Sequence, residues 1–183
     1  MNFQEYLNYF EQVVANPQDY PVYQDETFHK YAELNLSRTN RWLKRFEVSQ
    51  QTKDFISKIN EPQKWIVITE PWCGDAAHSV PQLFKISELN ENIELIIQLR
   101  DEEPFLIEQY LTNGGKSIPK LVIRNQNDQD IAVWGPRPEK LQELFYQYKE
   151  EGVAMDEIKE TVQKWYNVDK GVEIQNDIIN LLK

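Results

Sequence analysis

A single cysteine, Cys73, in 183 residues leaves no partner for an intramolecular disulfide. Stability therefore cannot depend on oxidation, which suits a reducing cytoplasm. Basic residues are also scarce: 20 lysines and arginines face 30 aspartates and glutamates, for a net charge of −10. A chain of that sign is repelled by nucleic acid and by anionic membrane, so neither is expected as a partner. No apolar run approaches membrane-spanning length, and the opening MNFQEYLNYFEQ has neither the basic flank nor the apolar centre of a signal peptide. The expectation is a soluble cytoplasmic protein. Histidine is rarer still, with only His29 and His78. His78 follows Cys73 by five positions, about 140° further round a helix, so the two side chains diverge and no metal set with Asp75 is expected. Repeats and low-complexity segments are missing.

What is present is enough for a core: 40% apolar residues, 22 of all residues aromatic, in a chain long enough for one domain with helical additions. Phe3, Tyr6, Leu7, Phe10 and Val14 recur at helical spacing over residues 1–14, and Asn16-Pro17 ends that helix. A second helical region is expected over 28–58, with Leu36, Leu43 and Phe46 as its apolar stripe and Arg38, Arg41, Lys44 and Arg45 on a solvated or ion-paired face. From Trp65 the pattern changes to WIVIT, a β-branched run that reads as a strand buried on both faces. A helix over 74–90, a buried strand IELIIQL over 93–99 and a helix over 103–111 closed by Asn113-Gly114-Gly115 follow. The strands KLVIR (120–124) and IAVWG (131–135), joined by a polar NQND turn, form a hairpin, and helices are expected over 137–151, 155–166 and 172–182. The order β-α-β-α-β-β-α over 64–151 predicts an α/β protein with a mixed four-stranded sheet.

The chemistry gathers around EPWCGDAAH, residues 70–78. Cys73 falls where a buried strand ends and a helix begins, so unpaired N–H groups and the helix dipole favour its thiolate. Trp72 shields one side, and Gly74 allows a tight turn. Against this, Asp75 and Glu70 bring negative charge, which raises a thiol pKa. Taken alone, a lone cysteine at a strand end is more often a small buried apolar residue than a nucleophile.

The segments PWCGDA, SIPK and WGPR together resemble the thioredoxin-like superfamily, in particular a bacterial branch with a WCGD-type motif. Pro81, Pro119 and Gly135 stand at the family's intervals from Cys73. The resemblance implies a thioredoxin-like fold over 61–151, with a helical extension over 1–60 packed on it and another over 152–183. It implies that Cys73 is the nucleophile, that Trp72, Gly74, Asp75 and Ala76 form the active-site loop, and that Ile118 and a cis Pro119 bind substrate. The family's second cysteine is replaced by Ala76 and its buried acid by Val67, so a two-cysteine cycle cannot close within the chain.

Two functions remain. In the first, Cys73 attacks a protein or small-molecule disulfide and a low-molecular-weight thiol such as glutathione resolves the intermediate, with no bound cofactor. Lys116 and Lys120 flank the Pro119 segment and are candidates to recruit that thiol, although residues 61–136 carry twelve acids against six bases. In the second, a redox-inactive thioredoxin-fold module uses the groove beside Pro119 to hold a protein or peptide partner. A weaker third reading makes Cys73 a peroxide sensor.

Overall fold

Trp65, Ile66, Val67, Ile68 and Thr69 are all buried, as a strand covered on both faces requires. A computed structural model describing residues 1–183 places them in β1 (Gln63–Thr69), at the centre of a sheet with β2 (Ile93–Leu99), β3 (Lys120–Asn125) and β4 (Asp130–Trp134). The strand order is β2-β1-β3-β4. β1 pairs parallel with β2, with Val67 opposite Ile97, and antiparallel with β3, with Val67 opposite Leu121. β3 and β4 form the antiparallel hairpin. This is the α/β architecture with a mixed four-stranded sheet that the sequence predicts, and no helix is long and apolar enough to cross a membrane.

Seven helices surround the sheet: α1 (Phe3–Ala15), α2 (Glu26–Arg45), α3 (Gln50–Ile56), α4 (Gly74–Ser87), α5 (Glu139–Glu150), α6 (Met155–Asp169) and α7 (Val172–Leu181). α1 begins with a capping box, in which Asn2 and Glu5 exchange side-chain and backbone bonds. It buries Phe3, Tyr6, Phe10 and Val13 in the sheet's own core, and Phe3 stacks on Phe84 of α4 at 4.1 Å. Each such side chain contributes about 1.5–3 kcal/mol of burial. A smaller apolar cluster of Leu141, Ile158, Val162 and Tyr166 joins α5 to α6.

Two helical expectations need correcting. The region 28–58 is not one helix. α2 ends at Arg45, Phe46 turns extended, and α3 starts afresh from Ser49, whose hydroxyl accepts from Thr52 N. The break is held from outside, because Lys85 of α4 donates to the exposed carbonyls of Leu43 and Phe46 at the end of α2. The buried face of α2 also differs from the expected stripe: Ala32, Asn35, Thr39 and Trp42 are buried, while Leu36 and Leu43 are only partly so. The second correction concerns 103–111, where only a short 3₁₀ turn, Leu106–Gln109, forms. Pro104 has no N–H to donate, and Phe105 is left-handed (φ 53°), so an α-helix cannot run through them.

Candidate functional site

β1 delivers the chain to Glu70-Pro71-Trp72-Cys73, and α4 starts one residue later. Cys73 is the N-cap residue of α4, with extended backbone (φ −80°, ψ 116°), and its N–H donates to the Glu70 carbonyl. Asn35 of α2 fastens the loop by donating from Nδ2 to the Pro71 carbonyl at 3.0 Å. Cys73 is 7% exposed, and its thiol donates to the Ile118 carbonyl at 3.3 Å, across a loop whose Ile118–Pro119 peptide is cis. Cys73, Ile118 and Pro119, distant in sequence, are thus brought together.

Burial pushes the Cys73 thiol up to about 12, and Asp75 adds to the rise. The N–H groups of Ala76 and Asp75 and the Arg137 guanidinium pull the other way and are outweighed. The helix-terminus effect expected from sequence is therefore present but smaller than desolvation. Glu70 is 6% exposed, and its carboxyl accepts from Asp101 N at 3.2 Å.

Asp75 is held by Arg137 (Nη2 to Oδ2, 2.7 Å) and by the Tyr166 hydroxyl (3.1 Å). Arg137 in turn lies on the Phe145 ring, 4.0 Å from its centroid. Trp72 is flanked by Arg100, 4.6 Å from its ring centroid, and by Phe28 edge-on. Ala76 is 2% exposed and brings no chemistry where a second thiol would stand. Lys120 departs from its expected role. It is 6% exposed and donates to the Gly135 carbonyl, away from solvent, because a lysine on a buried strand must find a backbone acceptor. Lys116 reaches the cleft but is paired with Glu108.

The thiol lies in the wall of a cleft of about 890 Å³ between α2, the Cys73 loop, the Ser117-Ile118 segment and α6. Gly74 and Asp75 line it as well. Arg38 corrects another expectation. It has no ion-pair partner and is half-buried in the wall of the cleft, with Nη1 on Asn35 Oδ1. Burial holds its pKa below the ordinary value.

His78 turns away from Cys73, as the helical angle requires, into the junction of α2, α4 and α6. Trp42 Nε1 can only donate, so His78 Nδ1 accepts (2.9 Å) and Nε2 carries the proton to Gln163 Oε1 (2.7 Å). Burial lowers the His78 pKa to about 3, and the ring stacks on Tyr166 at 4.3 Å. Sequence reasoning passed over Gln163 and Tyr166 altogether, since neither belongs to a motif. Arg137 was visible only as the last letter of WGPR.

Glu70 supplies a measurable pH dependence. Burial raises its carboxyl from 4.5 to about 7, with Asp101 and Glu102 adding to the rise and Arg100 and the Asp101 N–H opposing it. The folded state thus binds this proton more tightly than the unfolded chain, so its contribution is present at low pH and lost as pH rises from 4.5 to about 7. Glu70→Gln is expected to match the wild type near about pH 4.5 and to exceed its stability by about 3 kcal/mol at about pH 8 in urea titrations. Equal stability of the two proteins at the higher pH would remove Glu70 as the source.

A family model described as Thioredoxin matches residues 22–151. Among solved structures, the chain resembles a protein of unknown function from Pseudomonas aeruginosa, with 16% identity and a TM-score of 0.59 over 82% of this chain and 83% of that one. An HIV epitope-scaffold is similar to the same degree, at 16% identity and TM-score 0.59 over 82% and 84%. At such identity the likeness concerns the fold alone. No curated protein matches the chain.

Proposed function

The chain belongs to the thioredoxin family, and from that premise we propose that it is a ligand-holding module of this fold, with the cleft beside Cys73 as its binding site. One observation carries the reading: the only thiol is buried, donates to Ile118 O and is pushed up to about 12, in a cleft large enough for a small organic ligand. A neutral thiol is a poor nucleophile, and it is compatible with a binding wall. The reading follows the fold's type, that of thiol–disulfide oxidoreductases, without requiring turnover.

The uptake of Nile red, an uncharged apolar dye, tests it. Cys73→Ala is expected to bind the dye as the wild type does, whereas Ser117→Trp, which projects an indole into the cleft, weakens uptake by about ten-fold or more. Loss of uptake in Cys73→Ala with retention in Ser117→Trp is the contrary result.

A monothiol exchange reading is favoured by a separate observation, the two N–H groups of Asp75 and Ala76 turned toward the sulfur. In that chemistry the Cys73 thiolate attacks one sulfur of a protein or small-molecule disulfide, forming a mixed disulfide and releasing the other sulfur as a thiolate. An external thiol such as glutathione then attacks the mixed disulfide, takes over the bound half as a new disulfide and frees Cys73. A single free cysteine fits such work in a reducing cytoplasm. Glutathione-coupled disulfide turnover that disappears in Cys73→Ser is the result that would promote this reading over the first.

A further inference from the structure

Two side chains of the cleft, Gln163 and Arg38, keep hydrogen-bond donors unused and both come close to Gly74. The first is Gln163. Because Trp42 fixes the His78 tautomer, and His78 Nε2–H occupies Gln163 Oε1, the amide nitrogen of Gln163 must face the other way. It faces Gly74: a Cβ built there would lie 3.3 Å from Gln163 Nε2. No group of the protein accepts from that nitrogen. The second is Arg38, whose Nη1 lies 3.9 Å from the same point. That Nη1 makes the side chain's single hydrogen bond, to Asn35 Oδ1, so Nε and Nη2 of the same guanidinium are unused.

The remaining cations of the cleft are each ion-paired, although Arg137 Nε is buried without an acceptor. Arg100 pairs with Asp101, Lys116 with Glu108, Arg137 with Asp75 and Lys159 with Asp156. Arg38 alone has no carboxylate within ion-pair distance. Five basic residues line the cleft against three acidic ones, in a protein of net charge −10. Asp75, the acid nearest to Gly74, is already bonded on both oxygens, to Arg137 and Tyr166. The wall beyond Arg38 is apolar, with Phe28, Tyr31 and Leu34 exposed along α2 and Met155 exposed across from them on α6.

We infer that the cleft binds a small amphipathic anion. Its carboxylate sits over Gly74 between the Arg38 guanidinium and the Gln163 amide, and its apolar body lies along Phe28, Tyr31, Leu34 and Met155. Charge, donor geometry and the size of the cavity all fit this ligand class, and a half-buried guanidinium without a counter-ion is stabilised by receiving one. The inference rests on the binding reading and narrows it to a ligand chemistry.

Calorimetric titration of the full chain with decanoate, decanol and decyltrimethylammonium tests it, since the three probes share a tail and differ in the head. Decanoate is expected to bind at least about ten-fold more tightly than the cation, with decanol between them, because a charged hydrogen-bonded pair is gained with one head and a like-charge clash with the other. Arg38→Met is expected to bring decanoate down to the level of decanol, while Arg38→Lys keeps a preference for the anion. Equal binding of decanoate and decyltrimethylammonium by the wild type overturns the inference without recourse to any variant. So does an anion preference that survives in Arg38→Met. In both cases decanol still binds, and the binding reading stands. Binding of none of the three probes overturns both.

Discussion

Iodoacetamide at neutral pH is expected to alkylate Cys73 about a thousandfold more slowly than a free thiol in a short peptide. The rate follows the thiolate fraction. Moving the pKa from an ordinary 9.0 to about 12 removes three powers of ten from that fraction, before any hindrance from the 7% exposure of the residue. The rate should rise about ten-fold per pH unit through the alkaline range, with no plateau until the protein unfolds. In about 6 M guanidinium, the thiol should recover the peptide rate. The measurement decides between the two uses of the site. Alkylation of the native protein at or above the peptide rate would mean that the Asp75 and Ala76 N–H groups outweigh desolvation, and the monothiol reading would then lead.

The second large effect is expected at Gly135. Its φ is +105°, a region that side-chain-bearing residues rarely enter, and an added Cβ would overlap the Pro119 carbonyl oxygen while lying 3.3 Å from the carbonyl carbon. Neither obstacle is a flexible side chain, so the backbone itself has to move. Gly135→Ala is expected to destabilise the fold by about 3 kcal/mol or more, combining the backbone cost with the overlap. Gly114→Ala provides the control. It also has positive φ (+78°), but nothing lies within 4 Å of the new Cβ. Only the backbone cost, about 1 kcal/mol, is expected there. Urea midpoints at unchanged slope measure both. A Gly135 variant as mild as the Gly114 variant would mean that the Pro119 carbonyl is not held against β4. Because Pro119 adjoins Ile118, whose carbonyl accepts the thiol's hydrogen bond, the severe variant should also loosen the Cys73 environment.

The parts of this structure that were legible in sequence are those set by local chemistry. WIVIT and IELIIQL, two β-branched runs, became β1 and β2, and the second kept its expected bounds of Ile93–Leu99. The strand-to-helix junction at Cys73-Gly74 was equally visible, because a polar turn after a buried run marks such an ending. What was not legible depends on partners far along the chain. The break after Arg45 is held by Lys85, and within residues 28–58 only the Ser49 cap marks it. The orientation of Gln163 follows from a proton on His78 that is itself placed by Trp42, a relation spanning three helices. Arg38 reads as one of four solvated cations on a helix, and only the packing of α2 against α4 turns it into the cleft. The short turn at 106–109 is a different case. Pro104 stands in the sequence, but the Asn113-Gly114-Gly115 turn reads as the close of a helix over 103–111.

The segment that matches the family ends at residue 151, and α6 begins at Met155. Gln163, Tyr166 and the Met155 wall of the cleft therefore lie outside the stretch by which kinship is recognised. The sheet itself is built from residues 63–134, so the helix that walls the cleft contributes no strand to the fold. Ancestry in this protein is recorded in one part of the chain, and the proposed ligand site draws partly on another.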